Sequence, residues 1–301
     1  MDTSPSLSDT LTAAVECKDL AAIIAALAKR GSGAFAVGAD PGTAKVPDIL
    51  LAAKLIRAYV TRPAERFKWV KQFLTQEDAN GHQLGLVLLS EAYDQKPKSV
   101  LQLLQRHVVS DNWVVREYAG VCAGRILDRH FAEVYPVMLA WSKHASENVR
   151  RAVVIAAMEA AKANHAKRGA KLLKLLDPLM RDESRYVRVN LGPFAISLAL
   201  LKNYPDLTLK WLRKHARSKN EFARWNVAMV WSAFGGRKYA EQGLELLHDL
   251  AADERRFVWR AVASATAKLG KARPEVVKPI VKQWRADPVR RQVAEVVNRY
   301  L

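Results

Sequence analysis

Apolar residues recur at helical spacing along most of the chain, with polar residues between them. Val149, Val153, Ala156 and Ala157 show this spacing within one segment. The alternating runs typical of half-buried strands are nearly absent, and no Asn-Gly turn joins two such runs. The pattern therefore predicts an all-α protein.

Six segments repeat one arrangement, in which Ser, Asp or Asn near a helix start is followed by apolar residues with arginine and then by small and apolar residues. They lie near residues 110–127, 146–163, 182–203, 218–234, 253–270 and 287–301. The equivalent positions, which we call the ladder positions, are Arg116, Arg150, Arg188, Arg224, Trp259 and Arg290, at spacings of 34, 38, 36, 35 and 31. A period of this length holds two helices and a turn, so each segment predicts an inner helix and the amphipathic stretches between them predict outer helices.

Stacked helix pairs of this kind predict a HEAT-like helical-repeat solenoid, an α-α superhelix with a basic concave face. We expect a single right-handed stack of about seven pairs. Residues 1–48 are predicted to form an N-terminal helical cap with a Gly/Pro-rich loop, and residues 49–301 the repeat domain. The loop contains GADPGTAK, which has three residues between its glycines where a phosphate-binding P-loop needs four, so it does not predict a nucleotide site.

The positive charge is concentrated in the second half of the chain. The net charge is +18, and residues 151–301 carry 30 basic against 14 acidic side chains, compared with 18 against 16 in residues 1–150. A concentrated basic surface favours a polyanionic partner, of which nucleic acid is the commonest. The alternative is a basic surface with no such partner. We expect double-stranded DNA, held through its phosphate backbone.

Several function classes are disfavoured by what the sequence lacks. The two cysteines, Cys17 and Cys122, have no CxxC spacing, which argues against a disulfide scaffold or a cysteine-rich zinc site. The seven histidines are scattered, so neither a metal nor another cofactor is expected. The polar N-terminus and the lack of a long apolar run argue against a signal peptide and a membrane span. We expect a cytoplasmic monomer, associated with the nucleoid when bound to DNA.

The arginines near the inner-helix starts allow two interpretations. They form either a ladder of ion pairs with acidic residues of the preceding turn or repeat, or a track of phosphate contacts along the concave face. Where two arginines are adjacent, a single ladder of ion pairs uses only one of them, and the other is the better candidate for contact with DNA. Tryptophans beside the arginines can stack on sugar or base. The candidate DNA-binding residues are Arg116, Arg150, Arg151, Arg188, Arg224, Trp225, Arg260 and Arg291.

The stretch SDNWVVREYAGVCAG differs from the other five segments. Glu117 follows the ladder residue Arg116, a position where the others carry Arg, Val or Trp, and Trp113 lies four residues before Glu117. Residues four apart lie on one face of a helix. The two side chains are therefore either a chemical pair, or a packing tryptophan and a carboxylate that pairs with a neighbouring arginine.

On these residues the sequence resembles the HEAT-like alkylpurine DNA glycosylases, the AlkD-like DNA alkylation repair enzymes, over roughly residues 50–301. The family's W-x-x-x-D matches Trp113 to Glu117, with Glu for Asp, and its DNA-binding arginine matches Arg151. Its second tryptophan is replaced by Pro193, with Phe194 beside it. The resemblance implies excision of cationic N3- or N7-alkylated purines in base excision repair, with Glu117 and Trp113 catalytic.

The chemistry is consistent with a single carboxylate. An alkylated purine is already cationic, so it leaves without a general acid, and a carboxylate need only stabilise positive charge on the deoxyribose. The tryptophan would offer its π-face to the cation. The alternative functions are a HEAT-repeat protein that binds DNA without this chemistry and a protein-binding scaffold.

Overall fold

The computed structural model of the protein describes residues 5–29 and 42–301, and most of the predicted Gly/Pro-rich loop lies outside these ranges. Within them every regular element is a helix. The chain forms two compact units, Met1–Ile126 and Leu127–Leu301. The N-terminal helices belong to the same compact unit as the helices that follow residue 48, up to Ile126.

The first unit is built from short helices whose apolar faces pack together. They are α1 (Leu7–Glu16), α2 (Leu20–Lys29), α3 (Val46–Tyr59), α4 (Pro63–Phe73), α5 (Ala79–Leu89), the 3₁₀ turn Ser90–Ala92, α6 (Pro97–His107) and most of α7 (Trp113–Arg129). Helix α5 is buried along nearly its whole length, while α1, α2 and α3 pack on one another and α3, α2 and α4 pack on α5. The core of this unit therefore lies around α5.

The second unit alternates inner and outer helices. Its helices are α8 (Phe131–Trp141), α9 (Glu147–Ala160), α10 (Gly169–Leu176), α11 (Arg185–Asn190), a π-helical segment (Leu191–Leu200), α12 (Leu201–Asn203), α13 (Pro205–Ala216), α14 (Glu221–Val230), α15 (Ala240–Leu250), α16 (Arg256–Ala272), α17 (Pro274–Ala286) and α18 (Arg291–Asn298). Three short 3₁₀ helices connect some of them, at Ala163–Arg168, Pro178–Arg181 and Phe234–Tyr239.

Packing in the second unit follows the two-helix period of the sequence. The inner helices α14, α16 and α18 pack in succession, and the outer helices α13, α15 and α17 do the same. Each outer helix also packs on the inner helix that follows it. The predicted all-α, HEAT-like helical-repeat fold is confirmed.

Side-chain caps begin several of the inner helices, as the sequence pattern predicts. Asn112, Ser184 and Asn220 accept hydrogen bonds from the amides of the first turns of α7, α11 and α14. Ser146, at the start of α9, makes no such bond. Capping satisfies amides that the helix itself leaves without a partner, so these polar residues fix where the helices start.

The third predicted inner helix departs from regular α geometry. It continues from α11 into the π-helical segment, which contains Pro193 in its first turn. Proline lacks an amide hydrogen, and its ring clashes with the carbonyl four residues earlier in an α-helix, which a wider turn relieves. Two glycines allow close packing here: a Cβ on Gly192 would lie 2.9 Å from the carbonyl oxygen of Asn226, and one on Gly235 2.2 Å from that of Ser197.

No helix within residues 5–29 and 42–301 combines the length and the apolar character that crossing a bilayer requires.

Candidate functional site

Trp113 and Glu117 lie in the first two turns of α7, which Asn112 caps through its side-chain oxygen, 2.9 Å from the amide of Val114. Both side chains are half-buried, whereas Val114 and Val115 are almost fully buried. The helix thus turns its valines into the core and leaves the tryptophan and the carboxylate partly accessible. Residues four apart share one face of a helix, so both stand on the same side of α7.

Tyr118 follows Glu117 and points into the core. Burial raises the pKa of its hydroxyl to about 12, although the charge of Arg125 opposes this rise. The phenol therefore stays neutral near pH 7 and does not act as a base there. Of the two adjacent acidic groups, only the carboxylate is suited to stabilising a cation.

A recurring hydrogen-bond pattern occupies several ladder arginines. Nη1 of Arg116, Arg150 and Arg188 donates to the carbonyl oxygens six and five residues earlier, on the turn that leads into the inner helix. Arg66 makes the same pair of bonds at the N-terminal end of α4. The pattern closes each turn with one side chain, a role the sequence spacing alone did not suggest.

Two ladder arginines also pair with an acidic residue of the next repeat. Arg150 Nε lies 2.6 Å from Asp182 Oδ2, and Arg224 Nε lies 2.6 Å from Asp253 Oδ2. Both carboxylates are 4% exposed, and the hydrogen bond that Arg150 donates to Asp182 raises the pKa of its guanidinium. Arg150 and Arg224 thus form ion pairs, but the expected direction was wrong: the partners belong to the following repeat and not to the preceding turn or repeat. A phosphate role for them stays a prediction and would use the remaining N–H groups.

Arg188 is enclosed by aromatic rings. Its guanidinium carbon lies 4.6 Å from the ring centroid of Phe222, 5.3 Å from that of Phe257 and 5.5 Å from that of Trp225. Trp225 in turn stacks on Phe257, with centroids 5.9 Å apart. Arg188 is 6% exposed, and burial lowers the pKa of its guanidinium. Cation–π attraction stabilises a cation at such a place.

Arg151 lies in a similar setting. It is 6% exposed, and its guanidinium carbon lies 4.5 Å from the ring centroid of Tyr186 on α11. Sequence reasoning missed these aromatic partners, yet a signal was present. Tyr186, Phe222 and Phe257 each stand two residues before a ladder position. Arginines of one repeat thus rest on aromatics of the next.

The remaining candidates are exposed. Arg260 lies on the surface of α16, and Arg291 is exposed at the start of α18, where its Nε lies 3.3 Å from the carbonyl oxygen of Arg285. Phe194, on the π-helical segment, is 49% exposed. This exposed phenylalanine lies next to Pro193, which stands where the family resemblance places a tryptophan.

These observations define a class: an all-α helical-repeat protein whose inner helices carry arginines, with an accessible tryptophan and carboxylate at the start of one of them. The family model described as "DNA alkylation repair enzyme" matches residues 42–226. The protein therefore belongs to the DNA alkylation repair enzyme family and has a role in DNA repair.

Comparison with other proteins adds little beyond this. The chain is similar to YibA of Escherichia coli, with 15% identity, 99% of both chains covered and a TM-score of 0.39. It is also similar to a designed armadillo repeat protein in complex with the peptide (KR)4, with 18% identity, 78% of this chain and 99% of that chain covered, and a TM-score of 0.29. No curated protein matches the chain in sequence.

Proposed function

We propose that the protein is a DNA glycosylase that excises cationic N3- or N7-alkylated purines from double-stranded DNA in base excision repair. The observation that carries this proposal is the partly accessible pair Trp113 and Glu117 on one face of α7, in a chain of the DNA alkylation repair enzyme family. We further propose that it acts as a cytoplasmic monomer without a cofactor.

The reaction follows from the charge of the substrate. Alkylation makes the purine a cation, so the N-glycosidic bond breaks heterolytically and its electron pair stays on the base, which leaves neutral. Positive charge then develops on the deoxyribose, where the Glu117 carboxylate stabilises it electrostatically. A water molecule adds to the sugar carbon and loses a proton, for which Glu117 is the acceptor.

The tryptophan and the arginines are assigned supporting roles. Trp113 offers its π-face to the cationic base or to the developing sugar cation. Arg260 and Arg291, which are exposed, bind phosphates and anchor the backbone. Arg151 and Arg188 are buried, so they and Trp225 support binding through positive charge held beneath the surface. Arg116, Arg150 and Arg224 bind phosphates in addition to the partners that they have within the protein.

Release of methylated bases from alkylated duplex DNA tests the proposal. Wild type should release 3-methyladenine or 7-methylguanine well above the spontaneous rate. Glu117→Gln should lower that rate by about 100-fold, the cost of removing one electrostatic stabiliser, whereas Glu117→Asp retains the carboxylate and much of the rate.

Controls separate catalysis from binding. Glu133→Gln removes an exposed carboxylate from α8 and should leave the rate unchanged. Trp113→Phe should keep more activity than Trp113→Ala because it retains a π-face. If wild-type protein binds alkylated duplex DNA but releases no base above background, the non-catalytic DNA-binding alternative replaces the enzyme. The arginines and the basic excess of residues 151–301 favour that alternative over a protein-binding scaffold.

A further inference from the structure

A groove of about 550 Å³ lies between α16 and the end of α18, in a part of the chain that the family model does not reach. It is lined by Trp259, Arg260, Ala263, Ser264, Ala267, Lys268, Lys271, Val296, Arg299 and Tyr300. Pockets of 300–1,000 Å³ are the usual size for small ligands, so the groove can hold one or two nucleotides.

The lining is cationic. Arg260, Lys268, Lys271 and Arg299 are all exposed, and none of the ten lining residues is acidic. Arg260, Ser264 and Lys268 stand four residues apart along α16, so they share one face of the helix. Exposed cations in this arrangement favour binding of a chain of phosphates that runs along the groove.

Two aromatic side chains accompany these cations. Trp259 is half-buried in the wall of the groove and Tyr300 is 60% exposed at its other side, with Lys271 Nζ 6.0 Å from the tyrosine ring centroid. Aromatic faces stack on bases of any sequence, but only on bases that are not enclosed in a duplex. A site for single-stranded nucleic acid combines cations that bind phosphates with aromatic rings that stack on bases, and this groove has both.

We propose that this groove binds single-stranded nucleic acid, with phosphates on Arg260, Lys268, Lys271 and Arg299 and bases stacked on Trp259 and Tyr300. A duplex would use the four cations alone, because its bases are stacked on one another and closed to the rings. Inorganic polyphosphate would likewise use only the cations. The proposal does not depend on the chemistry at Glu117 and stands even where no base is excised.

Binding of a fluorescein-labelled ten-nucleotide oligothymidylate to the full chain, followed by fluorescence anisotropy, tests the site. The double variant Lys268→Glu/Lys271→Glu, at two groove positions that the proposed glycosylase does not use, should weaken binding by about tenfold or more. The matched control Lys278→Glu/Lys282→Glu makes the same charge change at exposed positions of α17 and should weaken it by less than about threefold. Far-ultraviolet circular dichroism checks that both variants fold.

The aromatic part is tested separately. Tyr300→Ala should weaken binding of the oligothymidylate by about fivefold or more but leave binding of an abasic oligonucleotide of equal length nearly unchanged, since only the former can stack. A 5-iododeoxyuridine oligonucleotide should crosslink to Trp259 or Tyr300. Equal losses from groove and control variants, crosslinks elsewhere, or equal competition by polyphosphate at matched phosphate concentration would each overturn the proposal.

Discussion

At the scale of single residues, most of the arginines at the inner-helix starts make hydrogen bonds or ion pairs within the protein. Arg150 closes its own turn through two carbonyl oxygens and also pairs with Asp182. Arg188 closes a turn and lies among three aromatic rings. A guanidinium has five N–H donors on three nitrogens in a planar fork, so it can bind the carbonyl oxygens through one nitrogen and a carboxylate through the others, whereas lysine has its three donors on a single nitrogen.

Acid should destabilise the second unit through Asp253. Burial alone would raise the pKa of this carboxyl, but hydrogen bonds from Arg255 and the charge of Arg224 bring it below its ordinary value. Because the folded pKa is the lower one, the stabilisation is complete above the unfolded value of about 3.9 and is lost as the pH falls through the folded value.

The measurement is urea unfolding between about pH 7 and pH 2.5. Asp253→Asn should cost about 2 kcal/mol at pH 7, typical of hydrogen bonds to a charged group, and should flatten the loss of stability below about pH 4. Asp249→Asn, at an exposed position nearby, serves as the control and should change little. A wild-type pH slope that persists in Asp253→Asn would assign the acid sensitivity to other groups.

Sequence reasoning located the ladder positions but not their partners. The spacing of the arginines along the chain is visible in the sequence, whereas the identity of each partner depends on how one repeat lies against the next. In the sequence, Asp182 and Asp253 look like helix-capping residues at the start of their segments. Only the packing of one repeat on the next brings them to Arg150 and Arg224. Trp113 and Glu117 were recognisable because helical spacing by itself places them on one face.

At the scale of elements, the third inner helix was the least predictable. Its apolar residues fit an α-helix, and only Pro193 indicates that the segment Leu191–Leu200 departs from α geometry. A proline inside a helix predicts a kink or an end, and which of several distortions results depends on what packs there. Here the close backbone contacts at Gly192 and Gly235 are part of the packing around the π-helical segment.

Gly235→Ala should destabilise the protein because the new methyl group has no room. A Cβ at this position would lie 2.2 Å from the carbonyl oxygen of Ser197 in the π-helical segment, and a backbone atom cannot swing aside as a side chain can. We expect a loss of about 1–3 kcal/mol, the usual range for overpacking, measured by urea unfolding.

A second glycine in a roomier place provides the comparison. At Gly81, the nearest atoms to a new Cβ are side-chain carbons of Gln76 and Ile24, at 3.1–3.2 Å. Gly81 lies inside α5, where alanine is favoured over glycine by about 0.5–1 kcal/mol, which offsets a small adjustment of the neighbours. Gly81→Ala should therefore cost less than Gly235→Ala, and the reverse order would contradict the steric argument.

At the scale of the whole molecule, the dominant feature is the charge of the second half of the sequence. Of the net charge of +18, an excess of 16 basic side chains lies in residues 151–301. That excess already counts Asp182 and Asp253, the partners of Arg150 and Arg224, so these ion pairs do not reduce it. The field that remains attracts polyanions from a distance and sets how strongly salt weakens their binding.

Binding of undamaged duplex DNA should therefore fall steeply with salt. If about five phosphates are neutralised, the logarithm of the association constant should fall with the logarithm of the salt concentration with a slope of about −4.5. The measurement is a titration of a labelled duplex between 50 and 200 mM salt. A slope near zero would indicate that the basic surface does not contact DNA phosphates.

The π-helical segment also bears on how such a protein changes over generations. A π turn is an α turn that holds one additional residue, so an insertion or deletion of a single codon can be absorbed inside a helix without a loop. Such a step rotates the side chains on one side of the change by about 100° relative to those on the other. Around Pro193 and Phe194, a heritable change of one residue could thus alter which side chain faces solvent while the flanking repeats keep their sequence.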